Sequence, residues 1–171
     1  MDKLYVVIVG GYPPGAHTEI HDVRFAVGRT LKDLFPKIKA EWWGGDDRFH
    51  FDAWGALEWA DGHRIVIADT APDDARTDCA LWFVNLGGYR SGHFGELHKD
   101  VFVVARTQTE AKKRALAQAK AEGWDSAHRD TLMSVEAIVD VGAAAGGRIY
   151  LVPSTEKLPF TFEAKYLPKV S

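Results

Sequence analysis

A block of twelve residues that occurs twice constrains this chain more than any other feature. Gly10-Gly11-Tyr12-Pro13-Pro14-Gly15-Ala16-His17-Thr18-Glu19-Ile20-His21 returns as Gly87-Gly88-Tyr89-Arg90-Ser91-Gly92-His93-Phe94-Gly95-Glu96-Leu97-His98. The shift is 77 positions (87 − 10), and GGY, a glycine, a glutamate and a histidine are kept. Over the 27 ungapped positions from Leu4–Thr30 against Leu81–Thr107, twelve are identical. Ordinary residue usage would give roughly two by chance. The chain therefore reads as an internal duplication.

Each copy opens on a β-rich run, Leu4-Tyr5-Val6-Val7-Ile8-Val9 and Leu81-Trp82-Phe83-Val84-Asn85-Leu86. Such runs are apolar at both parities, which predicts strands covered on both faces and central in their sheets. After the glycine loop a second strand follows, with Val23, Phe25 and Val27 in one copy and Phe102 and Val104 in the other. An Arg-Thr pair then opens a helix. Thr107 to Glu110 matches a capping box and Thr30 to Asp33 is a weaker version. Leu31, Leu34, Phe35, Ile38 and Trp42 form an apolar stripe on the first helix, where Pro36 predicts a distorted first turn or a later start. The second helix, Ala111 to Ala121, is alanine-rich and suited to close packing.

A third correspondence sets Phe49-His50-Phe51-Asp52 against Ala127-His128-Arg129-Asp130, which share His-x-Asp. Asp61-Gly62 is a two-residue hairpin signal before the strand at 63–67, and Gly146-Gly147 is expected to play the same part before 148–152. The expected fold class is α+β, an internal duplication of a β-β-α-β-β unit. Half a chain of this size is marginal alone, so the two units are expected to share one core around a pseudo-twofold axis. The expected organisation is a single domain over 1–171: repeat one 1–69, linker 70–78, repeat two 79–153 and a tail 154–171. Alternation in Phe160 to Tyr166 predicts an added edge strand.

Composition excludes several classes. The 171 residues carry a formal net charge of −3 and no Lys/Arg cluster, which argues against a nucleic-acid partner. Leu4 to Val9 is too short for a signal peptide or a membrane span, so a soluble, cytoplasmic protein with no membrane partner is expected. The lone Cys79 fits a reducing compartment and reads as a packing residue. Four of the six Trp fall between Trp42 and Trp59, read as core or as the face of a homodimer.

The loop is not a dinucleotide fingerprint, because G-x-G-x-x-G needs glycine where Tyr12 stands and a helix afterwards. Gly10, Gly11 and Tyr12, with Gly87, Gly88 and Tyr89, read as a strand connection. The polar repeats say more. Glu19 and His21 pair with Glu96 and His98, and His50 and Asp52 with His128 and Asp130. Glu-x-His and His-x-Asp each put two side chains on one face of a strand. A crossover helix makes the second and third strands parallel, so their starts meet at one sheet end beside the glycine loop.

Three readings of these eight residues stay open. The plain one is structural: paired His and carboxylates orient one another and tie down a loop. The second is a small-ligand or divalent-metal binding module, since His and carboxylate are ordinary ligands of zinc and related ions. The third is general acid–base catalysis by a carboxylate-oriented His in a small-molecule hydrolase or isomerase. No activated nucleophile stands beside them, and no cofactor or ligand is named by the spacing.

LYVVIVGGYPPGAHTEIHDVRFAVG, its echo LWFVNLGGYRSGHFGELHKDVFVVA and the later FHFDAW resemble the bacterial domain-of-unknown-function family 1543. The resemblance spans roughly Leu4 to Val152. It implies a duplicated α+β domain in small bacterial proteins and carries no established activity. The second copy departs at Lys99 and Asp100, where the first has Asp22 and Val23, so the two halves need not be equivalent.

Overall fold

Residue patterning at the first strand sets the frame. In the computed structural model, which describes residues 1–45, 48–90, 92–124 and 134–168, the run becomes β1 (Lys3–Gly11), with Val7 and Val9 fully buried. β2 (Ile20–Gly28) pairs antiparallel on one side and β3 (His50–Ala56) antiparallel on the other. The structure is mixed α+β, with antiparallel pairing throughout its described strands. The chain divides into two compact units, one of residues 1–75 and 142–171, the other 76–141.

In the first unit α1 (Leu31–Ala40) packs Leu34 and Ile38 on Val7, Val9, Ala26, Phe51 and Trp54. The Asp33 carboxylate accepts from the backbone N–H groups of Arg29 and Thr30, which hold its pKa below the usual carboxylate value. The helix starts at Leu31 and runs on through Pro36, rather than starting later. The missing N–H of Pro36 would have bonded the carbonyl of Lys32, which lies on the exposed side where water can serve instead. β4 (Trp59–Ala60) and β5 (His63–Ile67) form the expected hairpin, with Asp61 at φ 46° and Gly62 at φ 80°. Positive φ at both central residues is the type I′ requirement. The tail supplies β10 (Thr161–Leu167), the tenth and last strand of the chain, which pairs with β3 at the edge of the sheet order β10-β3-β1-β2.

In the second unit β6 (Ala80–Gly88) lies between β7 (Leu97–Ala105) and β8 (Ser134–Asp140). Thr107 Oγ1 accepts from Glu110 N–H at 3.2 Å and caps α2 (Gln108–Ala121). That helix buries Ala111, Ala115 and Ala119 completely against Val84, Leu86, Val101 and Val103. Asp78, just before β6, pairs with Arg76 and with Arg106 beyond β7, and its pKa is lowered to about 2 chiefly by the Arg76 hydrogen bond.

The two central hairpins share one register. Lys3 faces Gly28 and Gly11 faces Ile20; Ala80 faces Ala105 and Gly88 faces Leu97, each pair shifted by the same 77 positions. The flanking strands share a bulge as well, between Ile8 and Val9 on β1 and between Asn85 and Leu86 on β6. The correspondence stops after that. The expected Gly146-Gly147 turn follows a short helix, α3 (Val141–Ala145), rather than a strand. β9 (Ile149–Pro153) then pairs with β5, so residues assigned to repeat two complete a β4-β5-β9 sheet in the first unit.

Candidate functional site

β2 and β3 both run antiparallel to β1 and are therefore parallel to each other, with starts at the same sheet end. Gly10 of β1 faces His21 on one side and His50 on the other. Glu19 precedes β2 by one residue. Asp52 is the extra residue of the bulge, since Phe51 faces Val9 and Ala53 faces Ile8. A bulge re-aims its side chain, and here the four expected residues of the first copy converge.

His50 is 1% exposed, and its Nδ1 lies 2.6 Å from the carbonyl of Arg48. A carbonyl only accepts, so Nδ1 carries the proton and Nε2 presents a lone pair in the neutral ring. Around Nε2 stand Glu19 Oε1 at 2.9 Å and Asp52 Oδ1 at 3.3 Å. Neither contact is a directed hydrogen bond, and both Nε2 and Asp52 Oδ2 are buried without one. A lone pair facing two carboxylates is repulsive unless a cation, either a proton or a metal ion, lies among them.

The distances favour neither crowding nor separation. Ligands held at about 2.1 Å around a tetrahedral or octahedral ion are spaced by about 3.0–3.4 Å. One atom each from Glu19, His50 and Asp52 lies within 4.8 Å of the other two, the one such His/Cys/Asp/Glu group among the described residues. The Nδ1–H to carbonyl bond of His50 is the usual outer-shell support of a metal-ligating imidazole.

His21 completes the rim. Its Nε2 lies 3.2 Å from Asp52 Oδ2 and 3.7 Å from Glu19 Oε2, and its side chain is half exposed. Gly10 is the floor. A Cβ there would come within 2.6 Å of His50 Nε2 and 2.7 Å of Asp52 Oδ2, so no side chain fits beneath the cluster. Gly11 faces the other way, toward the Trp42 ring.

Two participants escape sequence reasoning. Arg48 adopts φ 59°, the left-handed region, and this turn delivers its carbonyl to His50. Its guanidinium stacks 3.9 Å above the Tyr12 ring. Tyr166 lays its ring against His50 at 4.4 Å between centroids, from the β10 bulge. Parity with His50 is the one signal that could have drawn attention to Arg48; nothing in the sequence points to Tyr166.

In the second unit the strand register corrects the expected partner of His50. Ser134 faces Gly87 where His50 faces Gly10, and Glu136 is the bulge residue where the first unit has Asp52. The His-x-Asp match at His128 and Asp130 is out of step with this pairing, and both residues lie outside the described residues. Glu96 and His98 occupy the places of Glu19 and His21, with 3.8 Å between His98 Nε2 and Glu96 Oε2. His98 Nδ1 is 3.0 Å from Asn85 Oδ1, while Asn85 Nδ2 donates to Asp100 at 2.7 Å. Ser134 Oγ hydrogen-bonds the Glu136 carboxylate. Gly87 and Gly88 close their strand, and Tyr89 beyond them is exposed. Of the tryptophans between 42 and 59, Trp42 and Trp54 are core residues and Trp43 is exposed.

No helix of the described residues is long and apolar enough to cross a membrane. No curated protein matches the chain. The solved structure of a protein Il1583 from Idiomarina loihiensis is similar at 28% identity, with a TM-score of 0.68 over 98% of this chain and 97% of that one. Residues 16–67, which hold Glu19, His21, His50 and Asp52, match the model of the family described as Domain of Unknown Function (DUF1543), and the likeness first visible in the repeated loop is thereby a likeness to that family.

Proposed function

We propose that the first unit is a divalent-metal binding module, with His50 Nε2, Glu19 and Asp52 as ligands and His21 at the open side. The observation that carries this is the buried Nε2 of His50, which lacks a directed partner and faces two carboxylate oxygens. One imidazole with two carboxylates suits zinc, manganese, iron(II) or nickel better than calcium or magnesium, which prefer oxygen alone. Three protein ligands and an open position form the arrangement that leaves room for water or a small ligand.

The two units are read as copies of one β-β-α-β-β element within a single domain, a reading supported by their common register and bulge. Only the first copy keeps a histidine at the ligand position. A second chemical reading rests on His21, half exposed and 3.2 Å from Asp52, as a carboxylate-oriented acid–base group.

Elemental analysis of the purified protein, with calorimetry using zinc, nickel and manganese, tests the metal reading. A single ion per chain, lost in His50→Ala, is expected. No bound metal and no heat with any of the three would sink it.

A further inference from the structure

The loop side of the cluster carries a cation that the metal reading does not use. Tyr12 stands two residues beyond Gly10 on the central strand, and Arg48 two residues before His50 on its neighbour. The register that sets Gly10 opposite His50 therefore brings Tyr12 and Arg48 together one step outward, and their 3.9 Å stacking agrees. Arg48 is exposed, and it makes no ion pair with a carboxylate among the described residues. Its left-handed backbone links the two roles: one residue turns its carbonyl inward to fix the His50 tautomer and holds its guanidinium on Tyr12 at the rim. A non-glycine residue in that region stores strain, which functional sites tolerate more than others do.

Charge then selects the ligand. Without metal, Glu19 and Asp52 make the pocket anionic and would repel an anion. A divalent ion cancels these two carboxylates, and the Arg48 guanidinium then offers a positive charge beside them. We infer that the metal-loaded site takes a small oxyanion, a carboxylate or phosphate, which completes the metal's coordination and pairs with Arg48. The stacked guanidinium is the group suited to this work, because its planar fork matches two oxygens at once. Tyr12 positions that fork by stacking and makes no claim on its donors.

This inference rests on the metal reading, and one experiment separates them. Cobalt(II) is titrated into the protein first, followed by its visible absorption bands; the loaded protein is then titrated with acetate, glycolate and inorganic phosphate. Saturable band shifts with at least one of these anions are expected. Compared at equal cobalt occupancy, Arg48→Ala should bind that anion roughly tenfold or more weakly than the wild type, the loss of a charge-assisted pair. Arg48→Lys should lie between, since it keeps charge and loses the fork. Failure to take up cobalt overturns the metal reading and this inference with it. Normal uptake with no anion response, or equal anion affinity in Arg48→Ala, overturns this inference alone. The carboxylate and phosphate arms tell which oxyanion chemistry the site prefers.

Discussion

Gly10 and Gly87 hold the same place in strands that pair with their neighbours in the same register, yet Gly10 is flanked by His50 and Asp52, and Gly87 by Ser134 and Glu136. The backbone frame survives while the chemistry on it diverges. In the first unit the buried Nε2 of an imidazole faces two carboxylate oxygens without a directed hydrogen bond. In the second a serine hydroxyl occupies one carboxylate, and Asn85, which replaces Ile8, draws His98 into a chain with Asp100. A hydrogen-bonded polar cluster satisfies itself and needs no ion. The lesson is that two sheet ends of one register can carry different chemistry, closed by ordinary hydrogen bonds where serine starts the third strand and offering a cation its ligands where histidine does.

The largest expected contrast is between the two glycines. Gly10→Ala puts a methyl group within 2.7 Å of both His50 Nε2 and Asp52 Oδ2, so zinc affinity should fall by about a hundredfold or more, the scale seen when a ligand's geometry is disturbed. Gly87→Ala meets the ends and stems of Glu96 and Glu136, which can swing aside; it should cost about 1 kcal/mol of stability and leave zinc binding alone. Calorimetry on both variants checks this, and equal effects would break the comparison.

The helices offer the next contrast. Leu34 fills the first unit's core, so Leu34→Ala should cost about 2–5 kcal/mol by denaturant unfolding. Ala115 occupies a site with no spare room, so Ala115→Leu should cost about 1–3 kcal/mol through overpacking. A stabilised Ala115→Leu variant would show that the close packing of α2 is not required.

Ser134→His sharpens the comparison from the other side. It restores an imidazole beside Glu96 and Glu136 and should give the chain a second, weaker zinc site by calorimetry. An unchanged stoichiometry would mean that Asn85 and the longer Glu136 also matter. Smallest is the capping effect: Thr107→Ala removes the bond to Glu110 N–H and should cost about 1 kcal/mol. Acid provides an independent check on the second unit. The Asp78 pKa is depressed from 3.8 to about 2, so its stabilising contribution is present above pH 3.8 and fades as pH falls toward 2. Melting profiles of Asp78→Asn should therefore differ from the wild type near neutral pH and converge with it near pH 2.

Much of this frame is legible in the sequence because strands repeat with period two and the two central hairpins keep one spacing. The central position of β1, the Asp61-Gly62 hairpin, the edge strand at 161–167 and the meeting of Glu19, His21, His50 and Asp52 all follow from such local patterns. His128 and Asp130 lie outside the described residues, and the residue that faces Gly87 is Ser134 instead. Two shared residues are a weak anchor after an insertion, whereas backbone pairing along β6 sets the register at Ser134. The pairing of β9 with β5 joins residues about ninety positions apart and leaves no local trace. The left-handed Arg48 and the Tyr166 ring tilted against His50 are likewise products of tertiary context.

The central claim, that one sheet end of two holds a metal ion, is tested most directly by titrating the protein with zinc while following the histidine ring signals by NMR. The signals of His50 and His21 should shift and saturate together at a single equivalent, with those of His98 unmoved. Shifts at His98 in parallel with His50, or no shift at His50 at any zinc concentration, would contradict the account.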